Sequence, residues 1–367
     1  MKKKFYILLA VLVLSLSLCA CGSSEPAPTP EPTPTPTPPP EEYTITDETA
    51  EEILALAEIP SLKYIDGSAS HEYAAMLELY NKLPDCEVRW NYEFEGNVYP
   101  NTAEQLKATQ LEGLEDAIRY LPKLNYIDVI DTEATVEDLD RYSEINPDAF
   151  YYWEFIHDGW HIRTDIECYS SLRDINYHRF TDEEFYPMFK YCKNLKALDI
   201  GHNDVTDLTL IGQLKDLEVL IIADNPNLVD ASPLANLENL VYLEFFLNHK
   251  VEDYSFLNSL TKLKDLNLCY CDYLTELDFM ENMPELSFLM LKFSGVSSEE
   301  FLEWEAKMPD TYMVFYDGNI HSCDSGWRET QRNAAIRRNF AFWPNMTDYR
   351  TYDDTDINYE KLNYPNY

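Results

Sequence analysis

The chain has 367 residues, 45% of them hydrophobic and 14% aromatic, with 66 acidic against 28 basic residues and a formal charge of −38. That apolar content excludes a disordered chain, and the length exceeds what one compact core normally holds, so a repeat array or several domains is expected. The deficit of Lys and Arg, on which affinity for phosphate backbones depends, argues against nucleic acid as a partner, while the acidity favours solubility and attraction of basic ligands.

The chain opens with Lys2, Lys3 and Lys4 and an apolar run from Phe5 to Leu18, the order of a secretory signal. The run is too short to span a bilayer comfortably. Leu18-Cys19-Ala20-Cys21-Gly22 follows. A Leu three residues before a Cys and a small residue just before it resemble the lipobox of bacterial lipoproteins. The resemblance implies removal of residues 1–20, a diacylglycerol on Cys21, and attachment to the outer face of the bacterial cell membrane through the lipid alone. Cys19 does not suit that role, because Leu18 is too large for the cleavage position. Loss of the three signal lysines takes the mature chain to −41.

Residues 21–42 form the anchor and stalk: Pro occupies every second place from Pro26 to Pro38, a pattern that favours extended polyproline II at about 3.1 Å per residue. Residues 43–194 read as irregular units of helix and hairpin. In the first, Leu62-x-x-Ile65 precedes an amphipathic segment from His71 to Leu83, then Pro84-Asp85, a strand-forming run from Val88 to Phe94 and a turn at Gly96-Asn97. In the second, Leu124-x-x-Ile127-x-Val129 precedes a helix from Thr135 to Ile145, then Pro147-Asp148, Tyr151–Phe155 and a turn at Asp158-Gly159. Thr135-Val136-Glu137-Asp138 is good capping chemistry for a helix start, and aromatic runs closed by Asp-Gly or Gly-Asn predict strand pairs.

The segment that decides the fold begins at Leu195-x-x-Leu198-x-Ile200-x-x-Asn203. It recurs from Leu217 to Asn225, from Leu240 to Asn248, from Leu263 to Cys271 and from Leu286 to Ser294, at spacings of 22, 23, 23 and 23 residues. Alternation in the middle of each unit predicts a short strand with one face inward. The following Asn, or Cys271 in its place, turns inward to bond backbone groups without ladder partners. No unit covers its own apolar face, so the units must stack. This is the leucine-rich-repeat pattern, and phrases such as Ser232-Pro233-Leu234-Ala235-Asn236-Leu237 resemble the bacterial internalin variety. A last long unit follows: a helix from Ser297 to Met308, Pro309-Asp310, Tyr312–Tyr316 and a turn at Asp317-Gly318-Asn319. The core and this last hairpin unit occupy residues 195–322. Residues 323–367 make a C-terminal cap, basic and aromatic from Gly326 through Arg332, Ile336, Arg337, Arg338 and Phe340 to Trp343, and a tyrosine-rich tail. The fold class is therefore an α/β repeat. It is a curved solenoid with short parallel strands on its concave face, helix-plus-hairpin units at both ends and a terminal cap.

Chemistry is scarce: there is no His-Glu-x-x-His, no Gly-rich phosphate loop, no Gly-x-Ser-x-Gly and no paired Cys-x-x-Cys, so neither metal nor cofactor nor catalysis is expected. Besides Cys21, the mature chain keeps Cys86, Cys168, Cys192, Cys269, Cys271 and Cys323, an even count that leaves disulfide pairing open. Four of these sit alone in hydrophobic surroundings. Cys269 and Cys271 fall on opposed strand faces, which argues against joint chemistry.

The strand alignment also gives the columns of the concave face. They run Ala197, Val219, Tyr242, Asp265, Phe288; then Asp199, Ile221, Glu244, Asn267, Met290; then Gly201, Ala223, Phe246, Cys269, Lys292; and, just past the strands, His202, Asp224, Leu247, Tyr270, Phe293. Tyr242, Glu244, Phe246, Asp265, Tyr270, Phe288, Met290 and Phe293 group aromatic, apolar and acidic side chains as an interface does. They are the expected ligand-binding residues. The resemblance to bacterial leucine-rich-repeat surface proteins implies a surface protein that grips an extracellular protein, with adhesion as one use. A cell-wall or other polysaccharide is the alternative partner.

Overall fold

A computed structural model describes residues 40–157, 159–171, 178–315, 326–328 and 330–340. The leader, Cys21, most of the stalk, the turn at Asp317-Gly318-Asn319, Cys323 and the tyrosine-rich tail lie outside the described residues. Within them, no helix is long and apolar enough to cross a membrane.

The N-terminal half is built twice on one plan. Strand β1 (Glu42–Thr44), helix α1 (Ala50–Ala55), β2 (Tyr64–Asp66), α2 (Tyr73–Lys82) and β3 (Glu87–Arg89) make a parallel sheet, and β4 (Asn91–Phe94) and β5 (Asn97–Pro100) an antiparallel hairpin. The plan repeats with β6 (Gln105–Lys107), α3 (Leu114–Tyr120), β7 (Tyr126–Asp128), α4 (Val136–Ile145), β8 (Phe150–Tyr152) and the hairpin β9 (Glu154–His157) with β10 (Trp160–Arg163). Helix α4 starts at the predicted cap: Thr135 accepts from the Asp138 amide, and Asp138 reaches back to the Thr135 amide at 2.8 Å. At the first hairpin the two residues with positive φ are Glu95 and Gly96, so Asn97 is the first strand residue and not part of the turn.

The hairpins were legible, but their effect on the sheet was not. The parallel ladder is interrupted after each of them, so the solenoid holds three parallel sheets rather than one. The same device closes both. Asn101 donates to the Val88 carbonyl at 2.9 Å and accepts from the Trp90 amide at 3.3 Å. Thr164 donates to the Tyr151 carbonyl at 2.6 Å and accepts from the Trp153 amide at 2.9 Å. A buried side chain thus satisfies the backbone groups that a further parallel strand would have taken. Trp90 and Trp153 pin each hairpin by an indole N–H to a carbonyl, of Tyr120 at 3.0 Å and of Ala134 at 2.9 Å.

The third sheet has seven parallel strands in sequence order: β11 (Cys168–Ser170), β12 (Ala197–Asp199), β13 (Val219–Ile221), β14 (Tyr242–Glu244), β15 (Asp265–Asn267), β16 (Phe288–Met290) and β17 (Tyr312–Val314). Helix α5 (Asp182–Phe189) links the first two strands, short 3-10 turns link the middle ones, and α6 (Ser298–Lys307), capped by Ser297, links the last two. The register sets Leu198, Leu220, Leu243, Leu266 and Leu289 side by side, each fully buried. They belong to one core that runs unbroken from Tyr92 to Met313. This is a leucine-rich-repeat solenoid by its own geometry.

Three residues past each of β12 to β16 stands a left-handed residue: His202, Asp224, Leu247, Tyr270 and Phe293 have φ of 58°, 53°, 62°, 55° and 57°. For a side chain other than Gly this costs about 1–2 kcal/mol. The turn swings the next side chain into the core, where Asn225 donates to the Ile200 and Ile222 carbonyls, both at 3.2 Å, and accepts from the Val205 amide at 3.1 Å. Asn248 does the same toward the Ile222 and Phe245 carbonyls at 3.0 and 2.9 Å. Cys271 stands in this ladder as expected, its thiol donating to the Phe245 carbonyl at 3.7 Å. All five described cysteines, Cys86, Cys168, Cys192, Cys269 and Cys271, are buried, and none forms a disulfide with another of them.

Asn225→Ala should therefore lower the unfolding free energy by about 3 kcal/mol, because several buried backbone groups lose their partner. Cys271→Ala, which removes one weak donor, should cost less than about 1.5 kcal/mol. Urea denaturation of both variants beside the parent protein measures the order, and equal losses would refute the ladder's role.

Candidate functional site

The strand positions expected to bind a ligand lie on the face of the seven-stranded sheet turned away from the leucine core, but the expectation that they stand open there is corrected. Tyr242, Glu244, Phe246, Asp265, Phe288 and Met290 are buried, none more than 5% exposed. What covers them is the segment expected to close the end of the solenoid. Residues 326–328 and 330–340 run instead across this face, from Gly326 beside Met290 to a single 3-10 turn, Arg338–Phe340, packed on β11.

Between them lies helix α7 (Gln331–Arg337), whose cap residue Thr330 accepts from the Asn333 amide. Trp327, Ile336 and Phe340 form one buried cluster with Ala197, Val219, Ile221, Tyr242, Phe288 and Met290, separate from the inner leucine core. The Trp327 ring lies 5.0 Å from Phe288 and 5.4 Å from Tyr242.

This seam is charged as well as apolar. Asp199, Glu244 and Asp265 are at most 1% exposed, and burying an ionised carboxylate without a partner costs several kcal/mol. Arg332 donates to Asp265 at 2.9 Å. Arg337 approaches Asp199 and Glu244 at 3.6 Å each. Asn333 donates to the Tyr242 hydroxyl at 2.8 Å and to Glu244 at 3.3 Å, and the Tyr242 hydroxyl itself donates to Glu244. Burial pushes the Asp199 carboxyl above its usual range and Arg337 opposes that shift, while burial next to Glu244 pushes the Tyr242 hydroxyl far up. Asp199, Arg332, Asn333 and Arg337 were absent from the predicted site. The signal that could have found them is the match between acidic concave columns and a basic terminal segment.

Tyr270 and Phe293, the remaining two predicted residues, lie on the rim formed by the left-handed residues. Their rings stack at 4.7 Å and 22°, with His249 edge-on to Tyr270 at 6.2 Å, and Phe293 is 37% exposed. The opposite end of this rim is polar: Arg179 bridges Asp204 at 3.3 Å and Asp224 at 3.2 Å, and His202 meets Asp224 at 2.8 Å.

A second recess, lined by Ile156, His157, His178, Phe180, Glu184 and Met188, lies between the second hairpin and α5. His157 is buried against Phe180 at 4.5 Å, and its Nε2 has no hydrogen-bond partner among the described residues. Burial is the main cause that holds this imidazole down to about 4. No group of three or more His, Cys, Asp or Glu among the described residues is arranged to hold a metal.

No protein-family model matches the chain, and no curated protein matches it. Among solved structures it is similar to internalin C2 from Listeria monocytogenes, at 22% identity and a TM-score of 0.33 over 58% of this chain and 80% of that one. It is similar to the internalin inlF from the same organism at 17% identity and a TM-score of 0.34, over 73% of this chain and 64% of that one. A leucine-rich-repeat protein from Leptospira interrogans matches at 15% identity and a TM-score of 0.31, over 71% and 74% of the two chains.

His157 makes the fold sensitive to acid. Once unfolded, the ring takes a proton near pH 6.5, so the stability it contributes when buried and neutral is present above that pH and is lost as pH falls toward 4. His157→Phe should flatten the dependence of unfolding free energy on pH in that window by one proton, at most about 1.4 kcal/mol per pH unit. Chemical denaturation at pH 4.5, 5.5 and 6.5 reads the slope, and an unchanged slope would refute the assignment.

Proposed function

We propose that the chain is a non-catalytic binding protein, displayed on the outer face of a bacterial membrane by a lipid on Cys21, and that its ligand is another protein. The observation that carries the reading is the partly exposed aromatic rim at Tyr270 and Phe293, set on a rigid repeat scaffold beside His249. Exposed aromatics on a fixed frame are typical anchors of protein interfaces, because they bring large contact area at little conformational cost. The two rings stack on each other rather than standing singly as flat platforms, which favours a protein over a polysaccharide.

The buried columns contribute to this rim by holding it in place. Changes at Tyr242 or Phe246 would disturb the seam beneath it, so a clean test uses rim positions alone. The mature chain carrying Cys21→Ser should retain a partner from a panel of extracellular proteins, and Tyr270→Ser/Phe293→Ser should lose about tenfold or more in affinity with an unchanged circular-dichroism spectrum. Retention of cell-wall polysaccharide instead, or binding indifferent to the double change, would overturn the reading. For the anchor, Cys21→Ser should move the protein from the membrane fraction to the medium and abolish incorporation of labelled fatty acid. Persistent membrane attachment would exclude a lipid at this residue.

A further inference from the structure

We infer that the concave face is a receptor groove for a helical segment that presents arginines beside aromatic and aliphatic side chains, and that residues 326–340 are its resident intramolecular ligand, displaceable by a partner segment of the same chemistry. The inference goes beyond the rim reading and does not depend on it.

Three observations carry it. First, the groove is acidic and aromatic where its occupant is basic and apolar: Arg332 meets Asp265, and Arg337 lies between Asp199 and Glu244. Second, the contact is remote in sequence, with Asn333 reaching Glu244 across 89 residues, so the segment docks on the groove as a ligand would rather than continuing the repeat. Third, the seam is less well satisfied than the asparagine ladder behind it. Asn267 Nδ2 and Trp327 Nε1 are buried there with no hydrogen-bond partner among the described residues, whereas Asn225 and Asn248 are bonded on both sides. Each unpaired buried polar atom weakens the closed state relative to an open one in which water reaches it. The two arginines of the occupant lie five residues apart on one short helix, and Trp327 and Ile336 supply its apolar anchors. A partner helix with that spacing finds the same carboxylates and the same apolar floor.

The test uses the mature chain carrying Cys21→Ser and, as probe, a fluorescein-labelled peptide of residues 326–340 of this sequence. Trp327→Ala/Ile336→Ala in the protein loosens the resident segment and leaves the groove intact. The probe should bind this variant at least roughly tenfold more tightly than the parent chain, because the resident segment no longer competes as well. The same peptide with Arg332→Glu/Arg337→Glu should not bind. A folded variant that ignores the probe, or that binds both peptides alike, overturns the inference. Hydrogen exchange on the unaltered chain gives a second reading that needs no variant. Amides of 332–340 should exchange roughly a hundredfold faster than those of Leu198 and Leu243, through local opening. Equal protection would make the segment an integral part of the core and overturn the proposal. Neither measurement touches Tyr270 or Phe293, so loss of this inference and loss of the rim reading are separate results.

Discussion

Three-residue strands leave most of their neighbouring backbone without ladder partners, and burying those groups is the constraint around which this molecule is arranged. The repeat core meets it with an inward asparagine after three of its left-handed residues, at Asn203, Asn225 and Asn248. Cys271 fills the place once with a weaker donor. In the N-terminal modules the same demand is met once per hairpin, by Asn101 and by Thr164. Asparagine serves both acceptor and donor through an amide, and threonine does so through a single hydroxyl. The substitution of one for the other at equivalent places shows that the backbone requirement, not the side-chain identity, is what the module keeps.

The second organising feature is the concave face. Its columns hold Tyr242, Phe288 and Met290 next to Asp199, Glu244 and Asp265, a mixture that neither an inner core nor a solvated face explains. Set against Arg332, Arg337 and Trp327 the mixture is complementary: charge answers charge and the apolar side chains fill the spaces between. The solenoid therefore has two interiors, one of leucines between the strands and the convex turns, the other between the strands and the chain's own C-terminal segment.

The first interior was readable from sequence and the second was not, for a physical reason. A period of 22 or 23 residues repeats a local packing problem, so Leu195 to Ser294 announces its own architecture, and Thr135 and Ser297 announce their helices through cap chemistry that acts within four residues. The helices Ala50–Ala55, Leu114–Tyr120 and Asp182–Phe189 are short and lie within irregular units, and they went unread. The seam depends on contacts across some ninety residues, to which periodicity is blind. Moreover, aromatic and acidic residues alternating on strand faces look the same whether a partner, a sugar or the chain itself covers them. Tyr270 and Phe293 kept some exposure because the left-handed turn carries them past the strand ends and out to the rim.

The two ladder interruptions also govern how the molecule bears load. Strands lie across the solenoid axis, so tension between the N-terminal end and a point farther along is taken by a few backbone hydrogen bonds at a time and not by a whole sheet in shear. β1 is the edge of its sheet, and the first module keeps a core of its own from Ile45 to Trp90. A pull delivered through residue 40 would peel β1 from β2 and open that module, while the long core from Tyr92 to Met313 and the rim upon it stayed folded.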